Sequence, residues 1–500
     1  MNSESLSLVR RSIGKPRRRS GGLRTLIIGG GEAGRTLARD FLRMPEYGLV
    51  PVGFLDDDPR KRSVAGLPVL GSIGSLTTVA EEERVAVAVI AIPALQPKQV
   101  RKIAEQATQA GISVRYLPSF VAVIERGAHV SDLRRLRVEQ LLGRNELHVV
   151  RQGGKEVITG KRVLVTGAGG SIGSELCRQI RGFGPASLHM LDHDESNLHS
   201  LQVALDGSGL LDTDELIVAD VRDRARVEQV FDQIKPEVVF HAAAHKHLPL
   251  LERYPCEGVK SNVLGTLHLV QAAIANEVER FILISTDKAA DPSSILGATK
   301  RLAELILQLH SNGTRLGAVR FGNVLGTRGS FLSVMASQVE NGESVTITHP
   351  EVTRFFMTVE EAVGLVLEAA AMVRGGEIFV LDMGEPVRIV DLVRNYAAQL
   401  HLDEDQIKLR FTGLRAGEKL DETLFSANEQ RSPTSHPKIW TVLPQPTDPS
   451  FIKLLNELFE VAARNDAEGD RGLLRRMLPE YLPAEAAEGS EELAPYPDWF

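Results

Sequence analysis

The sequence predicts an α/β chain with two doubly wound, parallel-sheet units, and three observations carry that prediction. Short apolar runs such as Leu26-Ile27-Ile28, Val163-Leu164-Val165 and Phe281-Ile282-Leu283-Ile284 fit strands buried on both faces. Helical patterns alternate with them, as in Leu176, Ile180 and Phe183 after one run and Leu302, Ile306 and Leu309 after another. Two glycine fingerprints sit where a strand hands over to a helix. Gly29, Gly31 and Gly34 have GxGxxG spacing, and Gly167, Gly170 and Gly173 have GxxGxxG spacing. Such turns bring backbone close to a pyrophosphate at a helix N-terminus, and ligands of open parallel sheets lie beyond the carboxyl ends of the strands. Both units are therefore expected to be Rossmann-like.

Composition narrows the function. At 500 residues the chain exceeds one ordinary core, and 43% hydrophobic with 25% charged residues is ordinary for soluble proteins. Two cysteines, Cys177 and Cys256, give no disulfide framework and fit a reducing, cytoplasmic setting. A net charge of -7 argues against nucleic acid as a partner. No secretory signal is recognisable, and no apolar run nears the roughly 18 residues of a membrane span. Residues 1–23 read as a flexible basic arm, with Arg10, Arg11, Lys15, Arg17, Arg18 and Arg19. Its sharper reading is peripheral contact with an anionic membrane at the inner face, each basic residue adding about 1 kcal/mol.

The first unit spans 24–145, opening with the strand before Gly29 and placing Asp56 at the end of a second. Nucleotide binding there stays open, because glycines at this spacing also serve tight strand–helix packing. A linker, 146–160, carries Gly153-Gly154 as turn signals. The second unit spans 161–465, and an acidic, flexible tail is expected over 466–500. In the second unit Gly167, Gly170, Ser171, Ile172 and Gly173 form the expected cofactor turn. Asp192, ending the next strand, suits ribose hydroxyls and repels a 2′-phosphate, which favours NAD over NADP. Asp220 and Val221 follow a further strand, and the small Ala242, Ala243 and Ala244 let backbone lie against a flat ligand. His241, His245 and His247 lack Cys or carboxylate partners at ligand spacing, so no metal is expected. Asn262 reads as starting or capping a buried helix, either structurally or in shaping the cofactor site.

The chemistry concentrates between Phe281 and Arg301. Ser285, Thr286, Asp287 and Lys288 fall where the 281–284 strand should end, and Lys300 follows on a helix. Both charges can reach one site only if the strand has ended by Asp287, since successive strand residues face opposite sides.

TGAGGSIGSEL (166–176), HAAAHKHLPLLE (241–252), STDKAADPSSILGATKR (285–301), RFGNVLGTRGSF (320–331), THPEVTRFFMTVEEAV (348–363) and TGLRAGEKLDE (412–422) resemble, in order, the motifs of bacterial nucleotide-sugar 4,6-dehydratases. These are extended short-chain dehydrogenase/reductases of the polysaccharide-biosynthesis type. The resemblance implies a UDP-N-acetylhexosamine substrate, a recycled NAD, assembly into a homo-oligomer, and net dehydration to a 4-keto-6-deoxy sugar. Longer members carry a similar first unit after several membrane helices; the basic arm resembles the segment following them, so a naturally soluble or truncated form is expected.

Most of the superfamily uses Tyr-x-x-x-Lys, but four residues before Lys300 stands Leu296, which has no titratable group. Lys300 keeps the role of holding the nicotinamide ribose. An apolar residue here resembles the branch that retains configuration at C5, usually with Met. The resemblance assigns Asp287 as acid toward the C6 oxygen, Lys288 as base at C5, and Thr286 as a polarising or relaying group at the C4 oxygen. Burial favours the neutral form of both charged groups, and their mutual pairing opposes it. Lys246, Asn323, Arg354, Arg415 and Glu418 are the expected substrate contacts, the arginines suiting a diphosphate. Ala416 replaces the proline usual in Arg-Pro-Gly-Glu-Lys. An epimerase using the same cofactor and a non-catalytic NAD-binding regulator are the alternatives.

Overall fold

The structure, a computed structural model, describes residues 23–43, 49–92, 103, 106–107, 110, 112–116, 134–135, 152–310, 313–325, 327, 331, 334–335, 338, 343–399, 407–443 and 450–483. The chain divides into two compact units, 1–146 and 147–500, each with its own Rossmann-like sheet.

In the first unit seven strands lie in the order Ser63–Val64, Leu67–Gly71, Leu49–Leu55, Leu23–Ile28, Val87–Ile90, Ser113–Tyr116 and Arg134–Arg135. The middle five run parallel and the two outermost pair antiparallel. Alternate residues of the central strands feed two clusters, Ile27, Phe54 and Val89 in one and Leu26, Leu55 and Ile90 in the other. That is why these runs show no polar alternation. The basic arm lies outside the described residues.

The second unit has nine strands, ordered Leu216–Val218, Ser187–Asp192, Arg162–Thr166, Val238–His241, Arg280–Ile284, Arg315–Arg320, Glu377–Leu381, Ile439–Val442 and Arg431–Pro433. The first seven are parallel; the last two join antiparallel. Helices Ser171–Arg181 and Val359–Met372 cover one face, and Gly265–Ala275 and Ile295–Leu309 the other. The Arg280–Ile284 strand is paired on both sides, so Phe281, Ile282 and Leu283 are fully buried.

Three expectations change. Gly153 and Gly154 are not turn residues but belong to a helix, Gln152–Ile158. A Cβ on Gly154 would stand 3.0 Å from a Glu368 oxygen and 3.1 Å from the Leu367 backbone, so glycine lets this helix seat against Val359–Met372. The flexible tail does not begin at 466. Asp466 caps a helix, Ala467–Met477, by accepting from the Gly469 N–H, and Leu473, Leu474 and Met477 are buried. Residues beyond 483 lie outside the described part. Asn262 neither starts nor caps a helix: it sits inside a π-helical turn, Val259–Leu264, joining two α-helical pieces. No helix among the described residues is long and apolar enough to cross a membrane.

Candidate active site

The Arg162–Thr166 strand ends at Gly167, whose φ of +68° suits glycine alone and whose Cβ would stand 2.5 Å from the Ala243 nitrogen. A Cβ on Gly173 would overlap the Gly167 carbonyl oxygen, so the helix Ser171–Arg181 can begin hard against the strand only with glycine there. Ser171 and Ile172 form its first turn after Gly170. The resulting crevice is lined by Gly167, Gly170, Asp192, Asp220, Val221 and Ala242 to Ala244. Asp192 ends its strand buried, accepting from the Gly169 N–H at 2.9 Å and the Asp194 N–H at 3.0 Å. A bare glycine turn, a helix N-terminus and a carboxylate at the neighbouring strand end fit an adenine dinucleotide.

His193 and His245 also line the crevice, together with Asn197 and Arg222, which the sequence reading did not single out. Arg222 pairs with Asp220 at 2.6 Å, and this bonding holds the carboxyl below its ordinary range despite partial burial. Asn262 stands behind the crevice rather than in it. Its oxygen accepts from the His245 N–H at 2.8 Å, while its nitrogen donates to the His245 carbonyl and Thr299 Oγ1, both at 3.1 Å. It positions the 242–247 loop. His241 is fully buried between Thr166 and Thr266 hydroxyls at 2.8 and 3.0 Å; burial, with the Lys300 charge, pushes it down to about 3. Lys300 is itself buried and pushed down to about 8 against the opposing Glu304 charge. Leu296, one turn earlier, is packed in the apolar core.

Beyond Ile284 the chain leaves the sheet, and Asp287–Ala289 makes a 3-10 turn capped by Thr286. The strand has therefore ended before Asp287, and both charges share one site. Asp287 is fully buried. Its Oδ1 accepts from Thr286 Oγ1 at 2.9 Å and Lys288 Nζ at 3.0 Å, whereas its Oδ2 has no hydrogen-bond partner among the described residues. At Lys288 burial works against the ammonium, but Asp287 and Glu422 outweigh it and hold the group above its ordinary value. Pairing wins over burial there.

A buried ionic frame stands behind this turn. Ser285 Oγ donates to Glu304 at 2.6 Å, and the fully buried Arg320 donates to Glu304 at 2.6 and 2.7 Å and to Glu429 at 2.7 and 2.8 Å. Arg301 adds contacts to Glu304 at 3.3 Å and Glu429 at 3.6 Å. Ser285 was named in the sequence reading, but Glu304, Arg320 and Glu429 were not singled out there.

The expected substrate contacts separate. Asn323 Oδ1 stands 3.5 Å from Lys288 Nζ, so it belongs to the site. Arg354 and Glu418 bind each other at 3.0 Å, and Arg354 also donates to the Thr353 and Leu420 carbonyls. They brace the loop. Arg415 is exposed, and its guanidinium has no partner among the described residues; Lys246 is exposed on the 242–247 loop. In the first unit, Asp56 accepts from the Gly30 N–H at 2.6 Å and pairs with Lys61 at 2.9 Å.

Residues 163–444 match the family described as polysaccharide biosynthesis protein, and 5–118 match one described as a CoA-binding domain. The chain is 40% identical over 462 residues to Probable polysaccharide biosynthesis protein EpsC of Bacillus subtilis (strain 168), covering 90% of this chain and 76% of that protein. It is 40% identical over 423 residues to Capsular polysaccharide biosynthesis protein CapD of Staphylococcus aureus, covering 83% and 71%. Among solved structures, Pen from Bacillus thuringiensis is 30% identical with a TM-score of 0.52, covering 58% of this chain and 89% of that one.

Proposed function

The chain belongs to the polysaccharide biosynthesis protein family, and we propose that it is an NAD-dependent 4,6-dehydratase of a UDP-N-acetylhexosamine, UDP-N-acetylglucosamine first, acting with retention at C5. The observation that carries this reading is the Thr286–Asp287–Lys288 turn. A fully buried carboxyl with one unpartnered oxygen, a lysine at 3.0 Å and a threonine at 2.9 Å stand at a strand end two strands from the glycine turn. Elimination needs an acid and a base together; an epimerase needs neither beyond the C4 oxygen.

Bound NAD supplies reversible hydride acceptance, first from C4 and finally to C6. The Gly167–Gly173 turn would hold it, with Asp192 at the adenosine ribose and Lys300 near the nicotinamide ribose, and the 242–247 loop, fixed by Asn262, would lie against it. Thr286 Oγ stands in bonding contact with Asp287 Oδ1, so the C4 hydroxyl proton passes through it to Asp287. The 4-ketone acidifies the C5 proton. Lys288, having given its resting proton to water as the substrate binds, is neutral at this point and takes the C5 proton as the C5–H bond breaks. Asp287 gives its proton to the C6 oxygen as the C6–O bond breaks, and water leaves. Asp287 and Lys288 are then the ion pair that the ligand-free protein also holds. Lys288 returns a proton to C5 when C6 is reduced, which leaves the atoms in balance. Asn323 and the free guanidinium of Arg415 serve the sugar and diphosphate, and Arg354 and Glu418 shape the loop that carries Arg415.

The test is incubation of the purified protein with UDP-N-acetylglucosamine, followed by mass and NMR identification of the sugar. The expected product has lost one water and carries a 4-ketone and a C6 methyl group. A C4 epimer of unchanged mass would replace the proposal with an epimerase. An unaltered sugar with NAD bound would leave a non-catalytic role.

A further inference from the structure

Lys288 faces more than its neighbour in sequence. Glu422, buried on the loop that also carries Arg415 and Glu418, stands 3.7 Å from its ammonium nitrogen. The groups facing Lys288 are thus Asp287, Glu422, the repelling cation of Arg354 and the neutral amide of Asn323. One cation stands between two buried carboxylates. The Glu422 side chain is 3% exposed, and Lys288 is the cation within ion-pair distance of it among the described residues.

The loop bearing Glu422 is also fastened to the turn bearing Lys288. Lys419 donates to the Ala290 and Asp291 carbonyls, Ser293 Oγ donates to the Gly417 carbonyl at 3.0 Å, and Asp291 N–H donates to Ser426. Gly417, at φ +76°, lies so close to Ser294 that a Cβ would stand 2.7 Å from that residue's own. The placement of Glu422 therefore follows from a built junction between the two segments.

We propose that Glu422 is the counterion that sets the protonation of the Asp287–Lys288 pair, and so couples the substrate-side loop to the proton transfers. This rests on the dehydratase reading. Glu422 touches no reacting atom; it is a positioning residue acting through charge. Its anion stabilises the lysine cation formed when the C5 proton is taken, and it makes Lys288 slower to release the proton it holds at rest. Arg354, on the Thr353–Arg354 strand and braced by Glu418, opposes it, so the balance of the two charges tunes the base.

The experiment is the pH profile of kcat for dehydration by the full-length wild type, Glu422→Gln and Glu422→Asp. Removing an anion at this distance from a buried ammonium makes protonation harder, so in Glu422→Gln the limbs that report the pair move to lower pH by at least about one unit. Glu422→Asp keeps the charge at a greater distance and moves them the same way by less, which decides the matter if the glutamine variant does not fold. A profile reduced in height but unmoved in pH would assign Glu422 a purely structural role and overturn the inference, with the dehydratase reading intact. A wild type that eliminates no water from the nucleotide sugar overturns both.

Discussion

Replacing Arg320 by Met removes the central cation of the frame behind the catalytic turn. The side chain is fully buried and makes four bonds of 2.6–2.8 Å to Glu304 and Glu429. Breaking a buried pair by removing one partner costs about 3–5 kcal/mol, chiefly because the other charge is stranded. Arg301 remains at 3.3 and 3.6 Å from the two carboxylates, which points to the lower end, about 3 kcal/mol. At an unfolding entropy of about 2.1 cal/mol/K per residue over the 147–500 unit, that is a fall in melting midpoint of roughly 4 °C. The pH dependence gives a second check. Burial raises Glu304, but Arg320 more than offsets this and holds it below its ordinary range. A lowered carboxyl stabilises the fold above its unfolded value and loses that contribution as pH falls. In the variant burial acts with less opposition, Glu304 takes up a proton at higher pH, and the gap to wild type narrows as pH falls toward the ordinary carboxyl range. Denaturant unfolding at several pH values measures both quantities. A loss under about 1 kcal/mol, or a gap that ignores pH, would refute the idea that Arg320 neutralises two buried anions.

Other outcomes follow from the same geometry. Gly173→Ala places a methyl group against the Gly167 carbonyl and should abolish retention of NAD, read from the nucleotide released on denaturation; full retention would contradict the close helix approach. Asp287→Asn and Lys288→Met should each reduce dehydration by at least about 100-fold while NAD stays bound, in line with loss of a positioned acid or base. His241 sits near 3 when folded and near 6.5 when unfolded, so the unfolded chain binds the extra proton and stability falls as pH drops below about 6.5, by up to about 1.4 kcal/mol per unit. His241→Gln should remove that slope from the pH dependence of unfolding; an unchanged slope would mean the buried ring is not held neutral.

Much of this was legible in sequence because local chemistry dictated it. Glycine spacing announced both turns, since a side chain at Gly173 meets a carbonyl, and uninterrupted apolar runs announced strands covered on both faces. That Thr286, Asp287 and Lys288 share one place was legible because the apolar run before them ends at Ile284, and the structure turns there. What stayed hidden is long-range. Arg320 and Glu429 are brought together across 109 positions, and Glu422 meets Lys288 only through the folded loop, although the 412–422 motif contained it. Two readings failed for opposite reasons. Gly153-Gly154 looks like a turn, yet the missing side chains serve helix contact with Glu368. The acidic stretch after 466 looks solvated, yet Leu473, Leu474 and Met477 share one buried helix face. Among the expected substrate contacts, Asn323 stands beside Lys288, whereas Arg354 and Glu418, 64 positions apart, satisfy each other.

The central claim is that this turn removes water from a nucleotide sugar through proton transfer at C5. It is tested most directly by running the reaction on UDP-N-acetylglucosamine in deuterated water and reading the product by NMR and mass. The account predicts a sugar short of one water, with a single deuterium at C5 and the C5 configuration retained. A product without deuterium at C5, an inverted C5, or a sugar that keeps its C6 hydroxyl would contradict it.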